Sequence, residues 1–194
     1  MFVNLETALR LDPGPERTAA LVASFQGLFA SEPPVLVDGA AVELYTGGGY
    51  RTGVLDFVGR IPREVSRLLA QVGFRKRGRH WLHEAAQVFI ELPAAEFDRD
   101  VRVDAIRIHR WTIVILSPGD LLVARLAAWK FWRVPVEGIN AYLLYRARGK
   151  TMDGKRLTEA AEVEEVRDEL ESLRCFAGRD RQPKEIEAWA ATER

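Results

Sequence analysis

The sequence predicts an α+β fold in which a mixed β-sheet flanked by helices occupies the first two thirds, followed by a helical C-terminal portion. Three observations carry this. Helical and extended patterns alternate over the first seventy residues, short β-prone runs fill the stretch up to Leu116, and from Ser117 onward the apolar spacing is helical almost without interruption. The expected organisation is an α/β core over 1–116 and a helical portion over 117–194 packed on it as one compact unit.

The first element follows the breaker run DPGP at Asp12 to Pro15, where Leu21, Val22, Phe25, Leu28 and Phe29 recur at helical spacing up to Ala30. Pro33 and Pro34 end it. PVLVDG then reads as a short buried strand, and AAVELYTG as a helix beginning beside Gly39. VLDFVG, Val54 to Gly59, is a second strand. A helix from Pro62 places Val65, Leu68, Leu69 and Val72 on one face.

After Gly73 the runs Arg79 to Glu84, Gln87 to Leu92, VRVDAIRIH and WTIVIL read as a meander added to the first two strands, with His109 in a turn. SPGD at Ser117 to Asp120 is a helix start, with a serine cap, a proline in the first turn and an acid three residues after the cap. The helix carries LLVARLAAWKFW, in which Trp129, Phe131 and Trp132 read as core and rim residues. Further helices are expected over Val136 to Arg148, Thr158 to Leu173 and Pro183 to Ala191.

Composition excludes several classes of function. The chain has 28 basic and 28 acidic side chains, so its zero net charge steers it toward neither nucleic acid nor an anionic membrane. The single cysteine, Cys175, permits no intramolecular disulfide and no multi-cysteine zinc site, and reads as a small, buried or half-buried helix residue. The N-terminus lacks a basic start leading into an apolar run, and no stretch approaches the ~18 apolar residues that span a bilayer. These features predict a cytoplasmic protein without a membrane partner.

One stretch carries chemistry. In VLVDGAAVELYTGGGYRTGVLDFV, residues 35–58, a glycine turn between a strand and a helix start brings backbone N–H groups toward phosphate oxygens, and Gly39 with Ala40 and Ala41 has that form. Acids two apart on the following strand share a face and can hold Mg²⁺ against the same phosphates, but of positions 54 and 56 only Asp56 is acidic. Gly47 to Gly49 is followed by neither Lys-Ser nor Lys-Thr, and Gly53 completes no dinucleotide fingerprint.

This stretch resembles the signature of the nucleotidyltransferase superfamily, specifically the small branch related to toxin–antitoxin and minimal nucleotidyltransferases. SPGDLLVARLAAWKFW is similar to the helix that follows the core sheet there. The resemblance implies a mixed sheet of that family's type and transfer of a nucleoside monophosphate from a nucleoside triphosphate, assisted by Mg²⁺ or Mn²⁺. It puts the metal ligands at Asp56 and at Glu91 in VFIELP, and nucleotide contacts at Gly39, Ala40, Arg51, Thr52 and Lys130. Two positions depart from the pattern. Val54 stands where the first acid of Asp-x-Asp is expected, and Asp38 where the first glycine is expected.

Two readings follow. In one the protein is catalytically impaired and serves as a nucleotide- or partner-binding module, toxin–antitoxin-like or regulatory. In the other it is an active enzyme whose site is rebuilt from Asp38, Asp56 and Glu91, with Asp38 leaning toward Asp56. RKRGRH, Arg75 to His80, is a weak RNA-binding feature and reads first as a solvated hairpin. His80 and His83 fall on opposite faces of a strand, so a shared zinc site is not expected.

Overall fold

The computed structural model describes residues 4–192 and divides into two units, residues 1–116 and 117–194. It is a mixed α/β structure with a seven-stranded mixed sheet flanked by helices.

The first unit opens with a short helix, α1 (Leu5–Leu9), capped by the Asn4 side chain. Sequence periodicity missed it because it is barely longer than one turn. Helix α2 (Pro15–Gln26) stops four residues short of the expected Ala30, and Leu28 and Phe29 lie beyond it. Strand β1 (Val35–Val37) follows, then α3 (Asp38–Thr46), β2 (Val54–Val58) and α4 (Arg63–Gln71). On α4, Val65 and Leu69 are buried, but Leu68 is 41% exposed and does not join them.

The remaining strands are β3 (Arg75–Arg77), β4 (His80–His83), β5 (Val88–Ala94), β6 (Val103–Ile108) and β7 (Trp111–Leu116). They do not extend β1 and β2 as a single meander. The order is β3-β4-β5-β2-β1-β7-β6, so the later strands split into two groups on either side of the first pair. Strand β5 runs parallel to β2, and β7 parallel to β1. RKRGRH forms the hairpin between β3 and β4, and all of β3 is exposed. His109 and Arg110 make the turn between β6 and β7, with His109 at φ 51°.

One face of the sheet supplies the core. Leu36, Phe57, Ile90, Ile113 and Ile115 are 0% exposed, and α2 and α3 pack on the central strands, with the Phe25 and Phe57 rings 4.7 Å apart. Burial of this apolar face is the main driving force for this unit. The buried Gln26 side chain completes it by acting as an additional strand partner. Its amide donates to the carbonyls of Pro34 and Val114 at 2.8 and 2.7 Å and accepts from the Val114 N–H at 3.0 Å. Three backbone groups are satisfied by one side chain.

The second unit is helical: α5 (Pro118–Trp132), α6 (Pro135–Arg148), α7 (Gly154–Val163), α8 (Arg167–Phe176) and α9 (Pro183–Ala190). Ser117 caps α5 as its sequence suggests, its hydroxyl accepting from Asp120 N–H and donating to the Asp120 carboxylate at 2.8 Å. The single helix expected over Thr158 to Leu173 is two. Glu165 adopts a left-handed φ of 57°, and the Val166 N–H turns back to the Ala161 carbonyl at 2.8 Å. Val166, Leu170 and Leu173 are then buried while Val163 is 73% exposed. Cys175 is exposed on α8, contrary to its expected burial, because Leu170 and Leu173 define the buried side of that helix. Among the described residues no helix is long and apolar enough to cross a membrane.

Candidate functional site: a row of titratable groups across the sheet

Pairing register assembles the site. Val37 on β1 lies opposite Asp56 on β2, Asp56 opposite Glu91 on β5, and Glu91 opposite His80 on β4. Directly paired residues project from the same face, so His80, Glu91, Asp56 and Val37 form one row across four strands. Alternation puts Val54 on this face too, since Leu55 and Phe57 are buried on the other.

The row is already occupied electrostatically. Glu91 accepts Arg79 Nε at 2.6 Å on one oxygen and His80 Nδ1 at 3.1 Å on the other. Arg79 sits in the β3–β4 turn, so the basic hairpin serves to hold Glu91. Its side chain is 15% exposed, and the two partners offset the cost of placing an acid among apolar strand residues. Arg79 and His80 are the residues sequence reasoning missed here. Nothing local to RKRGRH indicates that its end lies opposite Glu91.

Asp38 follows Val37 at the start of α3 with φ 60°, a left-handed conformation that glycine adopts freely and other residues at a cost. The backbone thus keeps the shape that a glycine would favour. Gly39 is required for another reason. A Cβ there would lie 2.9 Å from the Tyr50 ring and 3.6 Å from the Thr52 methyl, so the loop carrying Tyr50 and Thr52 closes directly on the start of the helix. Ala40 is completely buried. Thr52 in turn accepts from the Val54 N–H at 3.1 Å, which fixes the entry to β2.

Beneath this loop lies a second group that the sequence reading did not single out. Glu43 on α3 is 1% exposed and accepts from the Thr18 hydroxyl at 3.2 Å. Burial pushes its carboxyl above the ordinary value, and Thr18, the Thr52 N–H and Arg51 oppose that rise. Arg17, Glu43, Arg51 and Thr52 line a cavity of about 60 Å³, little larger than a few water molecules need. An acid one turn after Gly39 inside AAVELY is the signal that could have found it.

Lys130 lies in the helical unit. Its ammonium donates to the Glu165 carbonyl and stands 3.4 Å from Glu169. His83 accepts from the Ala86 N–H through Nδ1 at 3.1 Å and faces away from His80 along β4.

A divalent-metal centre needs several carboxylate oxygens directed at one point. Val54 supplies none, the two Glu91 oxygens are engaged by Arg79 and His80, and among the described residues no three His, Cys, Asp or Glu side chains cluster to hold a metal. The side chains present do not fit a two-metal site. What they form is a row in which Arg79 and His80 hold Glu91, beside a closed glycine loop.

The chain gives no significant match to any protein-family model, curated protein or solved structure.

Proposed function

We propose that the protein is a nucleotidyltransferase-fold module with impaired catalysis that binds a nucleotide or a protein partner, in a toxin–antitoxin-like or regulatory role. The observation that carries this reading is the register Asp56 opposite Glu91 with Val54 on the same face. Two carboxylates stand side by side where the resemblance implies metal ligands, yet Val54, where the first acid of Asp-x-Asp is expected, is an alkyl group. The strand, left-handed turn and helix over Val35 to Thr46 support the same frame, with Asp38 in the backbone shape of a glycine.

A second reading, an active transferase with a rebuilt site, draws on one specific feature. Asp38 directly follows Val37, the residue paired with Asp56, so a carboxylate remains at the end of the neighbouring strand. Phosphoryl transfer of this kind depends on charge neutralisation at the triphosphate, and metal-dependent binding therefore separates the readings.

The test is isothermal titration of the full chain with Mn²⁺ and each nucleoside triphosphate, on the wild type and on Val54→Asp, Asp38→Gly and Asp56→Ala. The impaired-module reading expects no metal-dependent binding by the wild type and a gain in Val54→Asp. Wild-type binding that either Asp38→Gly or Asp56→Ala removes would establish the rebuilt site instead.

A further inference from the structure

A groove of about 570 Å³ opens in the first unit between α1, the end of α2, α4 and the β6–β7 turn. Its volume falls within the ~300–1,000 Å³ typical of small-molecule sites. Apolar side chains make most of its surface, among them Leu5, Leu28, Leu68, Val72 and Trp111. Leu68 is 41% exposed even though its neighbours on α4, Val65 and Leu69, are buried. An apolar side chain left uncovered in a concave surface marks a place where a ligand can remove it from water.

The polar lining residues Asn4, Ser24, Gln71 and Thr112 are neutral, which leaves the charge of the groove to one side chain. Among the described residues Arg110 is its only charged lining residue, and no acid lines it. The Arg110 guanidinium stacks on the Trp111 ring at 4.7 Å and makes no ion pair among the described residues. Stacking fixes the cation at the rim but leaves its forked N–H donors available for a planar anion. Trp111, 6% exposed, also carries a buried indole N–H with no hydrogen-bond partner among the described residues. Buried donors without acceptors are uncommon in folded proteins, and this one belongs to a residue of the groove.

We infer that this groove binds a small amphipathic carboxylate, its apolar body lying along Leu28, Leu68 and Val72 and its carboxylate on Arg110. The assignment follows from charge. A neutral apolar ligand would leave Arg110 unused, and a cationic one would meet it with repulsion. The groove shares no lining residue with the carboxylate row, so the inference does not depend on the reading of that row.

Isothermal titration of the full chain with sodium decanoate and with decan-1-ol, both below their aggregation concentrations, tests this. Saturable one-to-one binding of decanoate is expected, at least tenfold tighter than decanol. Arg110→Ala should remove that preference while leaving decanol binding unchanged, and Arg110→Lys should restore part of it. Leu68→Asp changes an exposed position and should abolish binding of both without loss of the thermal transition. Val54→Asp should bind decanoate as the wild type does. Equal binding of acid and alcohol, indifference to Arg110→Ala, or no saturable binding would overturn the assignment. So would sedimentation with phosphatidylglycerol vesicles in the absence of decanoate binding, which would make the groove a lipid-surface contact.

Discussion

Asp56 on β2 and Glu91 on β5 stand directly opposite each other across a parallel strand pair, and Glu91 holds Arg79 on one oxygen and His80 on the other. Adjacent acids repel, and neutralising one of them lowers the cost of ionising both. Releasing Glu91 should therefore matter once a third ligand is present. Adding Arg79→Ala to Val54→Asp is expected to tighten Mn²⁺ binding by up to about tenfold, equivalent to ~1.4 kcal/mol. Titration calorimetry on the single and double variants measures it, and unchanged affinity would show that the Arg79 pair does not compete with metal.

Asp38 holds a φ of 60° that suits glycine. Asp38→Gly should raise stability by up to about 1 kcal/mol through relief of left-handed strain, even where it removes a carboxylate. Denaturant melts decide the point. A destabilised glycine variant would mean that interactions of the Asp38 side chain outweigh the strain.

Gln26 supplies hydrogen bonds to Pro34 and to both backbone groups of Val114. Gln26→Leu keeps the volume but strands these groups in a buried setting, and a loss of about 2–4 kcal/mol is expected from two or more unsatisfied backbone groups. Chemical denaturation gives the value. A loss below ~1 kcal/mol would mean that water replaces the amide.

Glu43 has its carboxyl held above the ordinary value of 4.5, with burial the largest cause. The folded state then binds this proton more tightly than the unfolded chain does. The contribution is complete below the ordinary value and is lost as pH rises through the folded-state value. Glu43→Gln removes the titration while keeping the shape, so its stability relative to wild type should grow as pH rises from mildly acidic to neutral. Melts of both proteins across that range form the test, and a constant offset would argue against a raised value.

Trp129 and Trp132 lie three residues apart on α5 in opposite environments. Trp129 is 5% exposed, packs on Trp189 with ring centres 4.5 Å apart and donates to the Ala190 carbonyl at 2.7 Å, whereas Trp132 is 71% exposed. Trp129→Ala should cost about 3–5 kcal/mol. Trp132→Ala should fall within about 0.5 kcal/mol of wild type. Thermal melts of the two variants compare them directly, and a large cost for Trp132→Ala would indicate that its ring is covered in solution.

Local pattern by itself determined the alternation of helices and strands from α2 to α4, the Ser117 cap of α5 and the strands that bury one side. The family resemblance, not local pattern, singled out positions 38 and 54, and Asp38 does adopt the left-handed backbone that a glycine favours. The break between α7 and α8 escaped local pattern, since no glycine or proline marks the left-handed Glu165. The exposure of Leu68 and Cys175 escaped it as well, because helical spacing gives a face but not what covers that face.

Only the tertiary structure decided which strands neighbour one another. The order β4-β5-β2-β1 brings residues 80, 91, 56 and 37 into one row. It also turns a basic hairpin into the partner of a strand carboxylate and places Arg110 on the rim of an apolar groove. The physical reason is one of range. Periodicity and capping arise among residues a few positions apart, whereas strand order and register are set by burial of a whole sheet face, and no short segment encodes that alone.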